Sequence, residues 1–240
     1  IFAAWSAKEI EEIVHDYEDA VPDGAWPNWV LSNHDQKRIA TRVGEAGARL
    51  AAMLLLTLRG TPTLYYGSEI GLEDVPVPPE RVQDPWEKRE PGLGFNRDPA
   101  RTPMPWDSSE NGGFTTGTPW LPLNPDCATR NVETLAGDER SILCLYRRLI
   151  ALRRAEPALN RGDYVHAHVE GNVYAYERRH EGRRLLVGLN FGQEAQPLTL
   201  PEDGRRGRLL LSTCLDREGE TIDGRMELRA SEGVVVELID

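Results

Sequence analysis

Two short apolar runs flank one helical segment, and this arrangement constrains the first part of the chain more than any other feature. Trp29-Val30-Leu31 reads as a fully buried strand. Residues Gly44 to Leu58 read as a helix rich in Ala, Leu and Met, with Gly60 just past its end. Thr63-Leu64-Tyr65-Tyr66 reads as a second strand, closed by Gly67. Strand, helix and strand joined by short connections make a βαβ unit, which implies parallel pairing and a right-handed crossover.

Around this unit the pattern is coarser. Ser6 to Tyr17 reads as a helix, with Ser6 as N-cap and Glu9 completing a capping box. Asp138 to Arg154 reads as another, with Ile142, Leu145, Leu149 and Leu152 on one face and Pro157 as its stop. Between them, Glu73 to Asn131 is a long irregular stretch dense in Pro, Gly and Trp. A loop of that length inside a compact domain is usually functional. From Asp163 onward the chain changes character. Tyr164–Val169, Val173–Glu177, Leu185–Leu189, Gln196–Leu200, Arg208–Leu211 and Val234–Ile239 are short strand-like runs separated by turn residues, the pattern of an antiparallel sandwich. The expected division is residues 1–160 and 161–240.

Composition excludes several classes. The 240 residues carry 28 Lys and Arg against 39 Asp and Glu, a net charge of −11. Such a chain lacks the basic footprint of a nucleic-acid binder, and anionic membrane surfaces repel it. Its longest apolar run, Leu50 to Leu58, is far shorter than the roughly 20 residues of a membrane span. The three cysteines, Cys127, Cys144 and Cys214, are odd in number and far apart, so neither a disulfide framework nor a zinc site is expected. A reducing, cytoplasmic setting fits them. The chain begins at Ile1 with no basic, signal-like segment, and its true beginning is expected to lie further upstream.

Chemistry concentrates where the first strand ends. Ser32-Asn33-His34-Asp35 places polar groups at the C-terminal end of a buried strand, the face on which α/β barrels build their sites. His34 can donate to a neutral hydroxyl and Asp35 can accept from two, which suits a vicinal diol on a sugar ring. The same triplet also fits a local role, with Asp35 capping the following turn. The long loop holds Trp86, Phe95, Trp106, Phe114 and Trp120, with Arg89, Arg97 and Arg101 between them. Flat aromatic faces and planar donors hold sugars, although aromatics of this kind also pack against a barrel rim.

Several segments then carry a specific resemblance. Asn33-His34-Asp35 after an apolar strand resembles the fourth signature region of the α-amylase superfamily of glycoside hydrolases. Arg59 to Gly71, RGTPTLYYGSEIG, resembles that superfamily's eighth strand and following loop. Arg97 to Trp106, RDPARTPMPW, is similar to a segment typical of its α-glucosidase branch, which includes oligo-1,6-glucosidases, sucrose- and maltose-acting glucosidases and trehalose synthases. Thr118 to Pro125 and Leu145 to Arg153 continue the match, so the resemblance covers essentially the whole chain.

The resemblance implies a fold of α/β plus all-β type: the C-terminal portion of a (β/α)8 barrel, with its last two strands and their helices, followed by an antiparallel β-sandwich. It implies a retaining α-glucosidase acting on short α-glucosides, in which one Asp is the nucleophile, a Glu is acid then base, and a second Asp stabilises the transition state. Asp35 matches that second Asp. His34, Arg97 and Arg101 match sugar-binding positions, with bracing of the loop as the other role of Arg101. Tyr65, Tyr66 and Glu69 are expected to support the strand end. The nucleophile and the acid/base belong to earlier strands, and those regions have no counterpart here. Gly94-Phe95-Asn96-Arg97-Asp98 superficially resembles the nucleophile region, but its Arg and Asp are adjacent where the motif spaces them by two, so Asp98 is not assigned that role. The expected partners are an α-glucoside and either the missing barrel part or a second copy, because the helix faces of a partial barrel would lie open. No metal or cofactor is expected. The runner-up is a non-catalytic amylase-like interaction domain, as in an amino-acid transporter subunit.

Overall fold

The structure is a computed structural model that describes residues 4–239. The chain divides into two compact units, one of Ile1–Leu31, Arg49–Thr63 and Leu145–Asp240, the other of Ser32–Ala48 and Leu64–Cys144.

The first unit begins with helix α1 (Ala7–Ala20), whose N-cap Ser6 accepts the Glu9 amide at 3.3 Å. The Glu9 carboxylate reaches back to the amide of Ala4 rather than to that of Ser6, so the expected capping box closes two residues early. Strand β1 (Asn28–Val30) follows. Helix α2 (Ile39–Thr57) is interrupted at Gly44, where φ is 72° and ψ 178°, so its continuous portion starts where the sequence predicts. Strand β2 (Thr61–Thr63) pairs in parallel with β1, Asn28 opposite Thr61 and Val30 opposite Thr63. The second strand therefore lies earlier than the expected Thr63–Tyr66. The reason is the close return of the chain after α2. The Thr61 amide donates to Pro27 O at 2.8 Å, and Trp29 Nε1 donates to Arg59 O at 2.6 Å. Gly60, at φ 122°, makes this possible: a Cβ there would stand 2.6 Å from Pro27 O.

Residues 50–56 of α2 are all 4 % exposed or less. A helix apolar all round has to be buried on every side. In the second unit lie α3 (Pro85–Arg89) and α4 (Val132–Ala136). Helix α5 (Ile142–Ala155) starts four residues later than the sequence suggests, because Ser141 Oγ caps it by accepting the Cys144 amide. Pro157 does not merely stop α5. It opens a short helix, α6 (Pro157–Asn160), at the first-turn position where a missing N–H costs nothing.

Eight antiparallel strands complete the first unit: β3 (Asp163–Glu170), β4 (Val173–His180), β5 (Arg183–Asn190), β6 (Gln196–Thr199), β7 (Arg206–Ser212), β8 (Thr221–Asp223), β9 (Arg225–Leu228) and β10 (Gly233–Ile239). They form one sheet in the order β3-β4-β5-β10-β7-β8-β9-β6. The sheet folds over on itself, so that β6 also lies against β4. Gly188 on β5 permits this, since a Cβ there would stand 2.6 Å from the Leu198 side chain on β6. The interior holds Val173, Ala175, Leu186, Leu198, Leu209, Ile222, Leu228, Val234 and Val236.

The opposite face of β4 explains why its first six residues are all buried. Tyr176 Oη lies 2.6 Å from Thr57 Oγ1 of α2. Fully buried Arg178 donates to Thr57 O through Nη1 and to Gly162 O through Nη2 at 2.8 Å. Arg153 of α5 donates to Leu56 O and Leu58 O at 2.8 and 2.9 Å. The last carbonyls of a helix have no partner within it, and here two arginines supply the donors. Burial lowers the pKa of Arg178 to about 10, and the negative end of the helix dipole favours its charge. The helix faces expected to lie open are covered: Leu50 to Leu56, Leu145 and Leu149 are buried within this chain.

Candidate active site

The site lies in the second unit, on the segment that follows β1. Asn33 Oδ1 accepts the Asp35 amide at 2.9 Å, a side-chain turn that fixes the backbone at Asp35. Three cationic or dipolar groups then converge on the Asp35 carboxylate. Arg97 Nη1 lies 3.3 Å and Arg101 Nη2 3.1 Å from Oδ1, and His34 Nε2 lies 3.3 Å from Oδ2. Arg101 Nε also donates to His34 O at 2.9 Å. The structure thus brings together all four residues singled out from the sequence. The Asp35 side chain remains 47 % exposed, so the carboxylate is held and still reachable.

Each arginine is itself anchored. Asp84 is the N-cap of α3, accepting the Trp86 amide at 3.0 Å. Its two oxygens accept Arg97 Nε at 2.7 Å and Nη2 at 3.0 Å. This fork of charge-assisted bonds holds the Asp84 carboxyl well below the usual carboxylate range and raises the Arg97 pKa further. Arg101 stands between two tethered neighbours. Tyr65 Oη donates to Ala100 O at 3.0 Å, and Tyr66 Oη donates to Thr102 O at 2.7 Å. Burial pushes the Tyr65 phenol up to about 12. The two tyrosines therefore serve the arginine loop rather than the strand end alone.

Beneath them lies Arg38, 1 % exposed, which donates to Tyr66 O at 2.6 Å and stacks 4.7 Å from the Tyr66 ring centre. Arg38 and Asp84 carry much of this architecture, and sequence reasoning passed over both. The Asp84-Pro85 pair is a legible helix start, but its bond to Arg97, 13 residues on, leaves no local signal.

Two clefts flank the arginines. One, of about 460 Å³, is lined by Asp35, Gln36, Trp86, Phe95, Asn96 and Arg97. The other, of about 430 Å³, is lined by Tyr66, Glu69, Arg101, Trp106, Phe114 and Trp120 among others. The five loop aromatics are 43–60 % exposed, so they wall the clefts instead of packing away from solvent. Arg89 is exposed and lines neither cleft. Asp98 is 1 % exposed, and its Oδ2 accepts the Gln83 and Asp84 amides at 2.6 and 2.9 Å, an anchoring role.

Away from these clefts, Cys214, Asp216 and Glu232 offer ligand atoms within 4.8 Å of one another, a convergence that sequence spacing conceals. Arg229 occupies it, donating to both carboxylates at 2.7 Å, and Arg217 adds a bond to Glu232 at 3.3 Å. The cluster is an ion-pair network built on guanidinium groups. The three cysteines are free. Among the described residues no helix is long and apolar enough to cross a membrane.

Comparison with known proteins identifies the family of the chain. The family model of the α-amylase catalytic domain matches residues 2–162, and a domain of unknown function, DUF3459, matches residues 160–235. The chain is 35 % identical to a probable α-glucosidase of Rhizobium meliloti, over 88 % of this chain and 40 % of that protein. It is 34 % identical to the amino acid transporter heavy chain SLC3A1 of Homo sapiens, over 78 % of this chain and 27 % of that one. Its fold matches the crystal structure of the trehalulose synthase MutB from Pseudomonas mesoacidophila with a TM-score of 0.87 at 28 % identity, over 98 % of this chain and 47 % of the other. The chain thus spans less than half the length of these relatives. Its architecture is the C-terminal portion of a (β/α)8 barrel followed by an antiparallel β-sandwich, and with more than half of its residues matched by the catalytic-domain model, the chain belongs to the α-amylase family of glycoside hydrolases.

Proposed function

We propose that this chain is the C-terminal part of a retaining α-glucosidase acting on short α-glucosides of the maltose, isomaltose, sucrose or trehalose type. The observation that carries the reading is the Asp35 carboxylate, held by Arg97, Arg101 and His34 at the mouth of an aromatic-walled cleft. In this reading Asp35 grips two hydroxyls next to the anomeric carbon, and the grip tightens as the ring flattens toward the oxocarbenium-like transition state. Contacts that strengthen only there raise turnover. Arg97 and Arg101 bind sugar hydroxyls and close the pocket, and His34 donates to one of them.

The nucleophile Asp and the acid/base Glu are assigned to an N-terminal part, and residues 1–160 to the end of the barrel it begins. Strands β1 and β2 pair in parallel, as successive strands of such a barrel do. Hydrolysis, transglycosylation and isomerisation all start from the same glycosyl-enzyme intermediate, so the same residues serve each. The free cysteines support a cytoplasmic place for the enzyme. The identity with the transporter heavy chain favours a second reading, a non-catalytic interaction domain. The ordered contacts on Asp35 weigh against it, since a binding scaffold has no use for them.

The test is glucose release from maltose, isomaltose, sucrose and an aryl α-glucoside by this chain alone and by the protein extended through the earlier barrel strands. The extended protein is expected to turn over near the typical ~10 s⁻¹, and the chain alone not at all. Turnover by the chain alone within about tenfold of that rate would refute the assignment of the other two carboxylates.

A further inference from the structure

Asp84 sits one residue before a Pro in a loop, is 1 % exposed, and uses both oxygens fully. Oδ2 accepts Arg97 Nε at 2.7 Å and the Arg97 amide at 2.9 Å, and Oδ1 accepts Arg97 Nη2 at 3.0 Å and the Trp86 amide at 3.0 Å. Asp98 reciprocates, taking the Gln83 and Asp84 amides on its own buried carboxylate. The two acids therefore tie the ends of segment 84–97 to each other, and that segment carries Trp86 and Phe95, the aromatic wall of the cleft. The remaining arm of Arg97, Nη1, is the one directed at Asp35, at 3.3 Å. Three of the four hydrogen bonds that Arg97 donates thus go to Asp84, and the one to Asp35 is the longest.

A free arginine side chain would follow Asp35 or turn to solvent once sugar hydroxyls displaced it. A guanidinium forked on a buried carboxylate has its plane fixed. We propose that Asp84 is a positioning residue for the glucosidase reaction, holding Arg97 in place at the cleft while Asp35 exchanges its arginine contacts for sugar hydroxyls. The inference rests on the function proposed above.

The competing explanation is that Asp84 only caps α3. Asn caps a helix about as well as Asp, so Asp84→Asn keeps the cap and removes the charged fork. In the full-length enzyme, kcat and KM for an aryl α-glucoside are measured for wild type, Asp84→Asn, Arg97→Ala and the double variant, with Tm for each. Asp84→Asn is expected to lower kcat/KM by on the order of 10²-fold, the usual effect of an ångström-scale misplacement. In the Arg97→Ala background the same change is expected to cost less than about twofold, because residues that act through one another are not additive. An equal loss in both backgrounds, or wild-type kcat/KM in Asp84→Asn, would overturn the proposal. A second readout is independent of activity: the Arg97 Nε–H resonance in ¹⁵N NMR is expected to exchange slowly in wild type and fast in Asp84→Asn. An unchanged resonance overturns the proposal even in an active enzyme. An inactive wild type overturns the functional reading instead and leaves the NMR result to decide the positioning of Arg97.

Discussion

Arg101 holds the backbone of His34 and the side chain of Asp35 at once, through Nε at 2.9 Å and Nη2 at 3.1 Å. One guanidinium thus braces the loop backbone and holds the Asp35 carboxylate. Its neighbours Ala100 and Thr102 are tethered by the hydroxyls of Tyr65 and Tyr66, which leaves the side chain little freedom.

Arg101→Lys keeps the charge and loses the fork. In the full-length enzyme it is expected to lower kcat/KM about tenfold, the equivalent of one lost charge-assisted bond of about 1.5 kcal/mol. Steady-state kinetics on an aryl α-glucoside measures this, and unchanged kinetics would leave Arg101 with no part in the site.

The sheet is fastened to α2 by Arg178, so its removal is expected to be felt in stability. Arg178→Met leaves the Thr57 and Gly162 carbonyls buried without donors. An unmade buried hydrogen bond costs ~1–3 kcal/mol, so a loss of about 3 kcal/mol in urea unfolding is expected. A loss below about 1 kcal/mol would show that the arginine merely fills space.

Acid should destabilise the fold in a defined window. Hydrogen bonds from Arg97 hold Asp84 below its ordinary value of 3.8. Burial alone would raise Glu177 and Glu232, but the hydrogen bonds of Arg179 and Arg184, and of Arg229, outweigh it and hold both below 4.5. For these three the unfolded chain takes up protons first, so their stabilisation is complete above about pH 4.5 and drains away below it. Burial raises Asp74, which acts in the opposite sense. Tm measured from pH 7 to pH 3 is expected to fall below about 4.5, and less steeply in Glu232→Gln. A Tm that is flat or rises toward acid would contradict this.

Much of the fold was legible in the sequence because local signals agreed with tertiary ones. Ser6 before an apolar stripe, the apolar run at Leu50–Leu58 and the alternation in β3 to β7 each fixed an element to within a few residues. The strands β8 and β9 escaped notice. Ile222, Met226 and Leu228 alternate with charged residues, and only the Asp223-Gly224 turn between them signals a hairpin. The clustering of His34, Asp35, Arg97 and Arg101 followed from motif order, not from any physical pattern. The bonds of Asp84 to Arg97, of Arg38 to Tyr66 and of Arg229 to Asp216 span 13 to 28 residues, which no periodicity encodes.

The role of Asp35 is tested most directly by kcat of Asp35→Asn in the full-length enzyme. Asn preserves size and keeps hydrogen-bonding capacity, so the fold and much of the ground-state binding should survive, with Tm close to wild type. Loss of the charge at the transition state is worth ~3–4 kcal/mol, and kcat is expected to fall by ~10²–10³ with KM little changed. A kcat within about threefold of wild type would contradict the assignment and leave Asp35 as an anchor for the Arg97 and Arg101 side chains alone.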